Sequence, residues 1–332
     1  MTTVLVTGGA GYIGSHAAKA LRAAGYDVVI YDNLSAGHRE AAHGLPLVEG
    51  DIGDVAEVRR AIRQSGATAV MHFAAWLVVP DSVRDPLGYY RNNVSGTLGT
   101  LEAMAAEGVQ QFVFSSTCAV YGEPRQTPID ETHPTAPINA YGQTKLAIEH
   151  ALPHLERAHG VRSVRLRYFN AAGADPDGEL GEDHTPEIHV IPRALDAARG
   201  GAPLDVFGED YPTPDGTCLR DYVHVTDLAD AHVRALRYLE GGGASATYNV
   251  GTERPSSVRE VIAAVEQVTG RAVAWRPAPR RPGDPAVLYA AAGKIRSELG
   301  WQPRRADLTT IVSDAWNWHA KHPRGFGRQA AR

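Results

Sequence analysis

Cysteine is scarce: Cys118 and Cys218 are the only two in 332 residues, too few for a disulfide framework or a four-cysteine zinc set. No stretch approaches the roughly 18 apolar residues of a membrane-spanning helix. A basic excess is also missing. With 33 Lys+Arg against 38 Asp+Glu the net charge is −5, which disfavours DNA or RNA as the main partner. The chain is not short of apolar residues, however: 43% are hydrophobic and 21% charged, which excludes a disordered protein. The opening MTTVLVTGG has neither the basic region nor the apolar stretch of an export signal and reads as a first strand. These absences predict a cytoplasmic, globular chain with one large domain or two smaller ones, and no membrane contact. Charge is uneven, since residues 271–332 hold 12 basic and 4 acidic side chains, a net +8.

Short apolar runs alternate with helix-period segments through the first half. Val4–Val6, Val28–Tyr31, Leu47–Val48, Ala69–Met71, Phe112–Phe114 and Ser163–Leu166 read as strands. Ile13, Ala17, Leu21 and Ala24 form one helical stripe between the first two. Strands without polar alternation, separated by helices, predict a parallel sheet covered on both faces. After about residue 170 proline and glycine cluster, at 171–186, 200–216 and 276–285. Long loops of this kind are usually functional, and they predict a smaller, irregular lobe over the sheet's carboxyl edge.

Gly8-Gly9-Ala10-Gly11-Tyr12-Ile13-Gly14 falls between the first strand and the first helix. A glycine-rich turn there lets backbone N–H groups approach a pyrophosphate at a helix N-terminus. Asp32 ends the second strand, 18 residues beyond Gly14, where a carboxylate bonds ribose hydroxyls and repels a 2′-phosphate. NAD is therefore expected rather than NADP; a plain turn role for Asp32 beside Asn33 is the alternative. The fold class predicted is α/β, a Rossmann-type doubly wound parallel sheet over residues 1–170. A smaller α/β substrate lobe covers 171–332, with later segments returning to the first domain.

Tyr141 and Lys145 share one helix face at i,i+4 spacing. A neighbouring ammonium favours the phenolate and so turns tyrosine into a usable base. Ser115-Ser116-Thr117, at the end of the fifth strand, offers hydroxyls that could bond a substrate oxygen. Each element alone is common; a helical surface pair and a polar strand end are the bland alternatives.

Together these stretches resemble the extended short-chain dehydrogenase/reductase family, and within it the branch that inverts C4 of UDP-hexoses. VTGGAGYIGSH, HFAAW, FVFSSTCAVYGEP, YGQTK, RYFNAAGA, GTCLRDYVHV and RRPGD carry the resemblance along nearly the whole chain. It implies a retained NAD, a transient 4-keto sugar, Tyr141 as acid and base, Lys145 beside the nicotinamide ribose and Thr117 assisting. Besides Gly8, Gly11 and Gly14 it implies NAD contacts at Tyr12, Ile13, Asp32, Asn33, Asp51 and Ile52. Phe73, Ala74, Ala75, Asn92, Ser115, Tyr141, Lys145 and Phe169 complete that set. For the UDP-sugar it implies Thr117, Asn170, His189, Val190 and Phe207. Arg220, Tyr222, Arg281, Asp284 and Leu288 join them, and guanidinium groups suit a diphosphate. A homodimer through helices after the fourth and fifth strands is also implied.

Three positions depart from the pattern: Thr117 replaces a frequent serine, Leu77 a lysine found in some members, and Leu288 a tyrosine that narrows the sugar pocket in others. Leucine at 288 predicts some acceptance of UDP-N-acetylhexosamines. Cys118-Ala119 after Thr117 cannot supply the acid–base pair of a 4,6-dehydratase. A UDP-pentose 4-epimerase or a decarboxylase stays open, and a non-catalytic NAD-binding regulator is the reading from another class. His150 and His154 read as surface histidines. His184 and His189, without a cysteine set, predict no metal site. Trp316 and Trp318 are expected to pack a last helix, with KHPRGFGRQAAR as a solvated basic tail.

Overall fold

The computed structural model describes residues 2–281 and 283–327. All six strands read from the sequence form: β1 (Thr3–Thr7), β2 (Asp27–Asp32), β3 (Leu47–Glu49), β4 (Ala69–His72), β5 (Gln111–Ser115) and β6 (Arg162–Tyr168). They lie parallel in the order β3-β2-β1-β4-β5-β6, and a seventh strand, Ala246–Val250, pairs in parallel with β6. That last strand is not evident from its short Ala-Thr-Tyr-Asn-Val stretch, because Thr247 and Asn249 interrupt the apolar run.

The strands are apolar on both sides because both faces are covered. On one face Ala17 and Leu21 of the helix Tyr12–Ala23 pack with Leu228, Val233 and Leu236 of the helix Val225–Glu240. On the other, Val58, Ile62, Leu101, Met104, Ile148 and Leu152 come from helices Val55–Ser65, Gly96–Ala106 and Ala140–His159. Truncating any of the buried leucine, isoleucine or methionine side chains among them to alanine would cost about 2–5 kcal/mol. A third core, with Ile191, Leu195, Val206, Val261, Val265 and Ile311, belongs to the segments after residue 170. Among the described residues, three small sheets accompany the main one.

β1 and β4 are adjacent, with β2 leading away on one side and β5 on the other. Strand order reverses at this point, so the crevice beyond their carboxyl ends is where a ligand fits. Trp318 is fully buried and Trp316 packs on the third core, within the helix Leu308–Lys321. The tail departs from expectation. The His322 ring stacks on Trp318 at 5.2 Å, and Phe326 packs on both Trp318 and His38. One aromatic anchor thus overrides the basic composition around it; residues 328–332 of that stretch lie outside the described chain.

Candidate active site

The glycine turn sits at the mouth of the crevice. Gly11 is the N-cap of the helix Tyr12–Ala23 and supplies no side-chain cap, so the first N–H groups of the helix stay available to an anion. Gly14 cannot be replaced without backbone movement, because a Cβ there would stand 2.1 Å from the Gly8 carbonyl oxygen. Gly8 has φ +73, and its Cβ would meet Ala74 N at 2.5 Å. The cradle fits a dinucleotide pyrophosphate: a close backbone approach, open N–H groups and no side chain in the way.

Asp32 is buried, and its carboxylate accepts from Ala10 N at 2.9 Å and Leu34 N at 2.8 Å. Burial raises its pKa. It acts as a turn residue and still keeps lone pairs toward the crevice, so the two readings of Asp32 are compatible. Asn33 donates to Asp51 at 2.7 Å, and Asp51 accepts from Gly53 N. Of the sequence-predicted NAD contacts, all except Asp51 line one cleft. Asp51 stands behind Asn33 and orients it.

Across the cleft, the helix Ala140–His159 is capped by Asn139, whose side chain accepts from Gly142 N. That cap fixes the helix start and brings Tyr141 and Lys145 to the end of β5. Lys145 is buried and donates to the Ser115 carbonyl at 2.9 Å, with the Phe114 ring 5.0 Å away. Burial pushes its ammonium down to about 7. Burial also raises the Tyr141 phenol well above its ordinary value, Tyr168 adds to this, and the Thr117 hydroxyl opposes it. Desolvation thus disfavours the phenolate, and a positive charge such as the Lys145 ammonium would act against it. Ser115 gives its carbonyl to Lys145, while its hydroxyl bonds the Tyr168 phenol at 2.7 Å.

The predicted sugar-nucleotide residues divide into two groups. Thr117, Asn170 and His189 line the same cleft as the glycine turn. The other group continues along the adjoining strands. Leu288 pairs with Arg220, Tyr222 pairs with Asn170, and Leu288 packs onto the cluster containing Cys118 and Phe169. Arg220 is ion-paired with Asp284, so part of its charge is already compensated. Arg281 lies 3.9 Å over the Phe207 ring, a cation–π contact. Val190 begins the helix Val190–Ala198 and packs into the lobe core.

Residues in and beside the cleft escaped sequence reasoning. Tyr168, two positions from Asn170 in RYFN, lines the cleft. Glu182 and Glu187 surround His184 and His189, and these four acid and imidazole groups converge. Their carboxylates outweigh burial and raise His184 to about 9 and His189 to about 10. The alternation of acid and histidine at 182, 184, 187 and 189 was the available signal. His150 and His154 are exposed, as expected.

Comparison with known proteins follows the same lines. Residues 4–251 match the model of the NAD dependent epimerase/dehydratase family. The UDP-glucose 4-epimerase of Lacticaseibacillus casei is 49% identical over 327 residues, 98% of this chain and 99% of that one. The crystal structure of UDP-glucose 4-epimerase from Brucella ovis in complex with NAD is 50% identical, with a TM-score of 0.93, covering 95% of this chain and 98% of that one. The Bifidobacterium longum UDP-glucose 4-epimerase, in complex with NAD+ and UDP, is 38% identical with a TM-score of 0.93, covering 98% and 100%.

Proposed function

The chain belongs to the NAD dependent epimerase/dehydratase family, and on that footing we propose how its cleft performs its reaction. The activity is NAD-dependent inversion at C4 of UDP-hexoses. What NAD supplies when bound is a reversible acceptor for the C4 hydrogen and its electron pair, which permits a transient 4-keto sugar without net redox change.

The remaining work falls to the side chains. Tyr141 takes the C4 hydroxyl proton at its phenol oxygen and returns it after the ring has turned over. Thr117 donates to the same oxygen. Lys145, held by the Ser115 carbonyl, contributes positive charge to the tyrosinate when protonated. The glycine turn holds the pyrophosphate, and Asp32 bonds the adenosine ribose. Arg220 and Arg281 hold the sugar nucleotide's diphosphate, so the hexose can rotate about an anchored linkage. Asn170, His189 and Tyr222 surround it. Leu288 is half-buried, and being smaller than a tyrosine it supports acceptance of an N-acetylated hexosamine as well.

One observation carries these roles: Tyr141, Lys145 and Thr117 meet at the end of β5, in the same cleft as the glycine turn. The test is to incubate purified protein with UDP-glucose, UDP-N-acetylglucosamine and UDP-xylose, without added NAD, and to resolve the products. Interconversion at C4 without added cofactor is expected. A requirement for stoichiometric NAD would instead mark a dehydrogenase.

A homodimer is part of the same reading. Val83, Leu87, Tyr90 and Leu98 are exposed apolar side chains on the helical segment after β4, with Leu87 66% accessible. An apolar group of this kind favours a protein partner, here a second copy. Both cysteines are free and buried, and among the described residues no helix is long and apolar enough to cross a membrane. These features support a cytoplasmic location.

A further inference from the structure

The loop between the strand Asn170–Ala172 and the helix Val190–Ala198 gathers Glu182, His184, Glu187 and His189. One ligand-type atom from each lies within 4.8 Å of all the others. His184 Nδ1 stands 3.2 Å from Glu182 Oε1 and 3.7 Å from Glu187 Oε2. His189 Nδ1 is hydrogen-bonded to Glu182 Oε1 and lies 3.5 Å from Glu187 Oε1. Four ligands about 2.0–2.2 Å from a tetrahedral zinc ion would stand roughly 3.3–3.6 Å apart, close to these edges.

Both imidazoles are ion-paired with the two carboxylates, but only His189 Nδ1 makes a hydrogen bond to one of them. His184 Nδ1 is shielded from solvent and lies within 4 Å of both carboxylates without a directed hydrogen bond. Buried nitrogen atoms are rarely left in that state. We propose that Glu182, His184, Glu187 and His189 bind one divalent transition cation of the zinc class. Two imidazoles with two carboxylates suit zinc, cobalt or nickel, whereas magnesium and calcium prefer all-oxygen sets.

Binding displaces the proton shared by His189 and Glu182, together with any proton on His184 Nδ1, and releases it to solvent. All four positions are filled by protein, so the cation is structural and has no open site for a substrate. It ties the 182–189 loop together at the cleft wall. There the His184 ring meets the edge of Tyr12, the first residue of the helix that follows the glycine turn. This inference is independent of the acid–base roles proposed for Tyr141, Lys145 and Thr117, while it commits His189 Nδ1 to the cation and leaves only the rest of that ring to the sugar nucleotide.

The test uses the untagged full chain with its NAD, dialysed against metal-free buffer and then titrated with Zn²⁺ and, separately, Co²⁺. Elemental analysis should find one equivalent of zinc per chain, and cobalt should give the strong visible bands of a tetrahedral site. His184→Ala and Glu187→Gln should each weaken zinc binding by about 100-fold or more, beyond the loss typical of outer-shell partners. Retained NAD and an unchanged circular dichroism spectrum show that the variants are folded. The proposal is overturned if the wild type holds no zinc above background, if cobalt gives only weak octahedral bands, or if both variants hold zinc as tightly as the parent.

Discussion

The Ser116 hydroxyl donates to the buried Glu149 carboxylate across 2.6 Å, just beyond the carboxyl end of β5. Glu149 follows Lys145 by one helical turn, as Lys145 follows Tyr141. Three consecutive residues of one strand end therefore meet one helix face. Ser115 binds Lys145 through its carbonyl, Ser116 binds Glu149, and Thr117 faces Tyr141. Arg167 completes the arrangement by donating to Glu149 and, at 2.9 Å, to Tyr121.

Replacing Glu149 with glutamine should therefore loosen the site as well as the core. The substitution leaves the buried Arg167 guanidinium without its counter-charge, a loss of about 3–5 kcal/mol. We expect reduced stability in urea and lower turnover, with Thr117 no longer held in register with Tyr141. A variant with parental stability and turnover would show that this contact positions nothing.

Tyr141→Phe removes the one group assigned to proton transfer while keeping the ring. Turnover should fall by about 10²–10⁴-fold. NAD measured after denaturation should stay at the parental level, because the glycine turn and Asp32 are untouched. Wild-type turnover in this variant would move the acid–base role to another residue.

Stability should fall on the acid side of neutrality. Burial pushes His16 and His232 down to about 4, and burial with the Lys145 charge pushes His72 down to about 3. All three are neutral in the folded chain at pH 6, whereas in the unfolded chain they take up protons below about 6.5. Their contribution is complete above that pH and is lost as pH falls toward 4. The slope is about 1.4 kcal/mol per pH unit for each histidine within its window. Melting temperatures between pH 7 and 4.5 measure it, and a flat profile would contradict it.

Leu98→Glu places a charge in the exposed apolar group on the helix Gly96–Ala106. If that group is the dimer face, light scattering should report a shift from dimer to monomer at micromolar concentration, with NAD retained. A dimer of parental stability would place the interface elsewhere.

The crevice was legible early because each of its signals is local. The glycine turn, Asp32 at the next strand end and the Tyr141–Lys145 spacing are all set within one strand–turn–helix unit or one helical turn. The strand Ala246–Val250 was missed for the opposite reason: its polar residues are satisfied only by pairing with β6 and by distant partners. Asn249, for example, takes the Tyr121 hydroxyl and the Ile129 carbonyl, more than a hundred residues away.

Periodicity and glycine placement determined the parallel sheet, the position of its crevice and the choice of a dinucleotide, since these follow from backbone sterics and short-range burial. Only the tertiary structure decided the electrostatics inside the crevice. Burial, which no spacing reveals, raises Tyr141 and lowers Lys145. Folding pairs Arg220 with Asp284 and closes two carboxylates around two histidines. The scarcity of cysteine ruled out a thiolate metal site from composition alone; only the folded loop brought Glu182, His184, Glu187 and His189 together.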